Sequence, residues 1–109
     1  DAGKFAIGVD SDQDYLEPGT VLTSMVKRVD EAVYQTIKDA VEGKFASGER
    51  MYDLKEGGVG LSDLLHTKDL IGPEKLKKVE EIAEKIKAGE IKAPANDADY
   101  QAYLKTIGK

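Results

Sequence analysis

The 109-residue sequence contains no cysteine and no tryptophan, and only three prolines, two phenylalanines and one histidine. Without cysteine there are no disulfides, no thiolate metal sites and no cysteine nucleophile. The compartment stays open, because exported proteins also do without cysteine. A lone histidine, His66, cannot assemble a typical zinc site, and neither Ser24 nor Ser62 has an evident base partner in the sequence. Basic excess is lacking too: 16 Lys and Arg stand against 21 Asp and Glu, a formal charge of −5. A non-specific nucleic-acid binder needs the opposite balance, since phosphate neutralisation requires clustered cations. No apolar run approaches the roughly 18–20 residues of a membrane span. There is no initiator Met and no signal-like apolar stretch. The chain opens at Asp1-Ala2-Gly3-Lys4, where a helix-to-strand turn would normally lie, so a truncated start is expected.

What is present suits a single domain or part of one. Apolar residues make up 40% and charged residues 34%, enough for a lean core. Phe5-Ala6-Ile7-Gly8-Val9 is a continuous apolar run, the pattern of a parallel strand buried on both faces. Glu17-Pro18-Gly19-Thr20 predicts a turn, and the β-branched stretch Val21–Val26 a second strand. Asp30 reads as the cap of an amphipathic helix carrying Val33, Ile37 and Val41 and stopped by Gly43. Glu49–Leu54 reads as a short strand, and Ser62 as the cap of a turn holding Leu64 and Leu65. Gly72-Pro73 opens the clearest helix, with Leu76, Val79, Ile82, Ala83 and Ile86 on one face, Gly89 as its stop, and Glu74/Lys78 and Glu81/Lys85 as i,i+4 pairs. Asn96 or Asp97 caps a last short helix with Tyr100, Tyr103, Leu104 and Ile107. The division expected is residues 1–93 and a tail, 94–109. Three or four strands make a thin sheet, which suggests part of a larger α/β protein.

Three readings compete at Asp10-Ser11-Asp12-Gln13-Asp14. Carboxylates at positions 1, 3 and 5 suggest a calcium loop, but Tyr15 stands at the required Gly and Val21 at the required Glu. A solvated loop with Asx-turns is the plain structural alternative. The third reading places Asp10 at the carboxyl end of a buried strand, where open α/β sheets bind ligands. There it can accept two hydroxyl hydrogen bonds, as from a sugar diol. Lys27 ends the second strand; if the two strands are parallel neighbours, it lies within reach of Asp10 or a ligand oxygen. Gly57-Gly58-Val59-Gly60 lacks the phosphate-loop pattern and reads as flexible backbone or a close approach at a hinge. Nothing assembles an active site. No catalytic residue, metal, cofactor or nucleic-acid partner is expected.

The segments Gly8-Val9-Asp10-Ser11-Asp12-Gln13 and Pro18–Asp30, with its Thr23-Ser24-Met25-Val26-Lys27-Arg28-Val29-Asp30, resemble the basic membrane protein family. These are the purine-nucleoside-receptor-like substrate-binding lipoproteins of bacterial ABC transporters. Tyr52-Asp53-Leu54 with Gly57–Leu61, and the Gly72-Pro73 helix, are similar to later parts of that family; the likeness covers about residues 3–92. The resemblance implies the C-terminal part of a type I periplasmic-binding-protein fold, an open and mainly parallel sheet flanked by helices. It implies a nucleoside or related small solute held between two lobes and delivered to a permease, without bond chemistry. Asp10 would match the ribose-binding aspartate, Lys27 the lysine of the TSxxKxVD segment, and Gly57 and Gly58 backbone near the hinge or cleft. The parent would be extracytoplasmic and lipid-anchored, with its anchor and stacking aromatics outside this chain. Two readings of another class are a self-associating α/β module, completed by a second copy rather than a missing N-terminal portion, and an enzyme built on a carboxylate pair near Asp10–Asp14.

Overall fold

A computed structural model describes residues 2–108. Strand β1 (Ala6–Asp10) is followed by β2 (Val21–Lys27), helix α1 (Val29–Val41), strand β3 (Val59–Leu61) and helices α2 (Lys68–Ile71), α3 (Pro73–Lys87) and α4 (Asp97–Thr106). The sheet order is β1-β2-β3. β1 pairs parallel with β2, placing Gly8 opposite Ser24 and Asp10 opposite Val26, with a register irregularity at Ala6/Ile7. β3 pairs antiparallel with β2, with Val59 opposite Lys27. The Pro18-Gly19 turn forms as the sequence implies, the Thr20 amide donating to the Glu17 carbonyl at 3.0 Å.

The apolar run at the start does form a strand, yet it is not buried on both faces. Only Gly8 of β1 is buried, while Phe5, Ile7 and Val9 are 63%, 64% and 50% exposed. A continuous apolar run encodes a need for cover, and here β2 supplies it on one edge alone. The same holds for the helices. The α1 stripe of Val33, Ile37 and Val41 is exposed, as are Val79 and Ile82 of α3, with Leu76, Ala83 and Ile86 half-buried. No large apolar side chain is fully buried among the described residues.

Local signals decide most element ends. Pro73 opens α3 at its first turn, where its missing N–H is not needed. Asn96 caps α4, its side chain accepting from the Asp99 amide at 2.9 Å. Asp30 is not a cap. A single residue, Arg28, separates β2 from α1, so the helix starts at Val29 and Asp30 falls in its first turn. There it accepts from Arg28 Nε and Nη2 at 3.2 and 3.1 Å. This guanidinium holds the Asp30 carboxyl below the usual carboxylate range. The pair therefore favours the fold at neutral pH and ceases to do so as pH falls through that lowered value. On α3 the ion pair that forms is Lys87–Glu84, at 2.9 Å, not the two i,i+4 pairs expected.

Glu49–Leu54 is not a strand. The segment is tied to α1 by side chains instead: Arg50 pairs with Asp39 and lies over the Tyr52 ring, 5.0 Å from its centroid. The chain then turns through Asp53–Gly57 and passes Gly58 against Tyr52. A Cβ on Gly58 would fall 2.4 Å from both the Tyr52 carbonyl oxygen and the Tyr52 Cβ. Backbone cannot yield there as a flexible side chain could. Gly58→Ala is expected to lower stability by about 1–3 kcal/mol, the range of overpacked interiors, measured by urea denaturation of the full-length protein.

Candidate functional site

β1 and β2 run in parallel and end side by side, so Asp10 and Lys27 finish at the same edge of the sheet. Lys27 Nζ lies 2.6 Å from Asp10 Oδ1, with the two side chains 56% and 68% exposed. An ion pair this open contributes little to folding, about 0–1 kcal/mol. Its interest is its position. Asp10 also has a left-handed backbone, φ 75, and the Ser11 amide donates across it to the Val9 carbonyl at 3.1 Å, a three-residue turn. A positive φ closed by such a turn is rare and strained for a residue with a Cβ, at a cost of about 1–3 kcal/mol, and such residues concentrate where geometry serves function.

Gly58 belongs to the same edge. Its carbonyl accepts from the Arg28 amide at 2.8 Å, directly after β2, and Val59 pairs with Lys27. Gly57 precedes it at φ 74. The structure thus brings Asp10, Lys27 and Gly58 to one end of the sheet, with Gly57 one residue further along the turn. His66 lies elsewhere, exposed in the turn before α2.

The three carboxylates of Asp10–Asp14 do not converge as a calcium loop requires. Asp10 faces Lys27, Asp12 Oδ1 accepts from the Asp14 amide at 2.9 Å, and Asp14 turns inward. The spacing suggested Asp14 as a calcium ligand, not as the partner of two serines. It is 2% exposed, and its Oδ1 accepts from Ser24 Oγ at 2.6 Å while its Oδ2 accepts from Ser62 Oγ at 2.5 Å. Ser24 and Ser62 therefore share one carboxylate, although neither had a partner visible in the sequence. Ser62 caps no turn. Its single hydrogen goes to Asp14, and its two lone pairs accept from the Ser24 amide at 3.1 Å and from Thr23 Oγ1 at 3.0 Å. Ser24 Oγ in turn accepts from the Gln13 amide at 3.0 Å. Thr67, 1% exposed, binds the Leu22 carbonyl from the start of α2.

Gly8 makes room for this cluster. A Cβ there would lie 2.5 Å from Ser24 Oγ and 3.0 Å from Gln13 Cβ.

A protein-family model described as ABC transporter substrate-binding protein PnrA-like matches residues 1–97. The chain belongs to this family. Basic membrane protein A of Borreliella burgdorferi is 34% identical over 106 residues, a match covering 95% of this chain and 30% of that protein. A solute-binding protein of an ABC transporter system from Aeropyrum pernix K1 superposes with TM-score 0.60 at 34% identity, over 95% of this chain and 37% of that one. A structure described as a transcriptional activator of the comK gene from Bacillus halodurans superposes with TM-score 0.67 at 33% identity, over 76% of this chain and 28% of that one. The chain thus spans about 30% of the length of the curated relative it matches. The family match includes the whole Asp10–Lys27–Gly58 edge. A groove of about 550 Å³ between residues 89–94 and α4 lies at the far end of the chain, and its lining from Asp99 on α4 to Ile107 just after it falls beyond the matched residues.

Two substitutions separate packing from surface charge in this substrate-binding family member. Gly8→Ala is expected to cost about 1–3 kcal/mol through the Ser24 contact, and Lys27→Ala less than about 1 kcal/mol because its pair is open to water. Urea denaturation of both variants checks the contrast.

Proposed function

We propose that this chain forms one wall of a cleft that holds a nucleoside, in a substrate-binding protein that carries it to an ABC permease. The observation carrying the reading is the exposed Asp10–Lys27 pair at the carboxyl edge of two parallel strands, with Asp10 in a left-handed turn. A ribose presents two neighbouring hydroxyls, and the two oxygens of one carboxylate accept from both. Lys27 fixes the rotamer of Asp10 before the ligand arrives and donates to a ligand oxygen once it is there. Preorganisation of this kind lowers the ordering cost of binding. Gly57 and Gly58 supply backbone beside the pair, close to the hinge. Residues 1–93 build the wall and 94–109 follow it as a tail. Closure of a second lobe over this edge traps the ligand.

In this reading no bond is made or broken, so the protein is not an enzyme. It works outside the cytoplasm, anchored by lipid, as the family's resemblance implies.

A second reading draws on different observations. Phe5, Ile7 and Val9 leave an apolar strand with β2 on one side only, and the α1 stripe is uncovered. Such an edge pairs readily with another chain, so the residues also suit a self-associating module without a ligand site of its own.

Calorimetry with inosine and adenosine decides between the two. Asp10→Ala in the full-length protein is expected to weaken nucleoside binding by at least about tenfold, as loss of a charge-assisted hydrogen bond would, and Lys27→Ala by less. Unchanged affinity in both variants refutes the ligand reading. A species whose mass rises with concentration in light scattering, and which binds neither nucleoside, supports the module.

A further inference from the structure

Asp14 has no part in the ligand reading, yet it is the most heavily satisfied carboxylate at this end of the sheet. Two hydroxyls from different strands or their extensions donate to it, Ser24 within β2 and Ser62 just after β3. Its own amide is held by Asp12, and that of the preceding Gln13 by Ser24. The loop leaving β1 is therefore clamped four residues after Asp10. On the other side, β1 is fixed against β2 by the parallel ladder, Gly8 facing the same Ser24 that grips Asp14. Residues 10–13 thus lie between two anchors, and the positive φ of this stretch falls on Asp10, at φ 75.

We propose that Asp14 is a positioning residue: anchored by Ser24 and Ser62, it holds Asp10 in its left-handed turn and so sets the carboxylate against Lys27 and the ligand. The inference deepens the nucleoside reading of Asp10 and rests on it for its binding readout. A carboxylate is required because both oxygens must accept. An asparagine at position 14 would keep one acceptor oxygen for Ser62 and turn its N–H₂ toward Ser24 Oγ, whose own hydrogen is then left without the carboxylate it donates to now. The clamp would open on one side, and Asp10 would relax toward the extended backbone that most residues prefer.

The test is a double-mutant cycle on the full-length protein, read by inosine calorimetry: wild type, Asp14→Asn, Asp10→Ala and the double variant. Asp14→Asn is expected to weaken binding about tenfold in the wild-type background and less than about twofold where Asp10 is already Ala, the non-additivity of residues acting through one another. Equal losses in both backgrounds overturn the inference. Should wild type bind no nucleoside, the ligand reading falls, and the Cα and Cβ chemical shifts of Asp10 decide the positioning role alone. They are expected to move from left-handed to extended values in Asp14→Asn; unchanged shifts overturn it. If Asp14→Asn does not fold by circular dichroism, Ser62→Ala, which leaves Ser24 on Asp14, is carried through the same two measurements with the same expected outcomes.

Discussion

One buried carboxylate, accepting from two serine hydroxyls, joins parts of the chain that lie far apart in sequence. Asp14 reaches Ser24 across ten residues and Ser62 across 48. The consequences spread outward from there. Ser24 needs Gly8 opposite it, which fixes how β1 sits on β2; Ser62 continues the line of β3, its amide donating to the Ser24 carbonyl at 2.8 Å. An unpaired carboxylate in this position would be costly, whereas one with both oxygens satisfied is tolerated and directional. A hydrophobic cluster could fill the same space without fixing the strands in register through named partners.

The apolar side of the ledger looks quite different. Ordering a backbone costs about 1–2 kcal/mol per residue, and burial of apolar surface is the main term that offsets it. Here Ile7, Val33, Ile37 and Ile82 are each at least half exposed. The described residues span 51 × 37 × 24 Å, an open shape for their number. Surfaces of this kind mark contact with further protein. The strand edge, the α1 stripe and the α3 stripe carry their hydrophobic pattern faithfully, and among the described residues nothing covers them.

This distinction explains what was legible in the sequence. Local chemistry was: the Pro18-Gly19 turn, Pro73 at the head of α3, Gly43 and Gly89 after their helices, and a cap for α4 at Asn96 or Asp97, which the structure assigns to Asn96. Each depends on neighbours within a few residues. The apolar run and the β-branched run likewise mark two strands, but their parallel pairing stood only as a condition in the sequence and is settled by the structure. Burial was not legible, since Phe5–Val9 states a preference for cover without stating whether cover is supplied. The Glu49–Leu54 strand failed for want of β-branched residues and because Arg50 and Tyr52 engage α1 and each other. The Asp14 cluster escaped notice for a third reason. Ser24 and Ser62 acquire their partner only once β2 and β3 are in register, and no spacing in the sequence encodes that meeting.

The positive-φ turn at Asp10 also bears on how this edge of the sheet can change over generations. Few side chains tolerate that backbone; glycine, asparagine and aspartate do so at least cost. Aspartate and asparagine codons differ by one base, as do those of aspartate and glycine. The accessible alternatives at this position are thus a neutral amide, which adds a donor beside its one acceptor oxygen, or no side chain at all. Side-chain chemistry at this edge can drift only along that short path, because the main chain has filtered the alphabet before selection acts on the side chain.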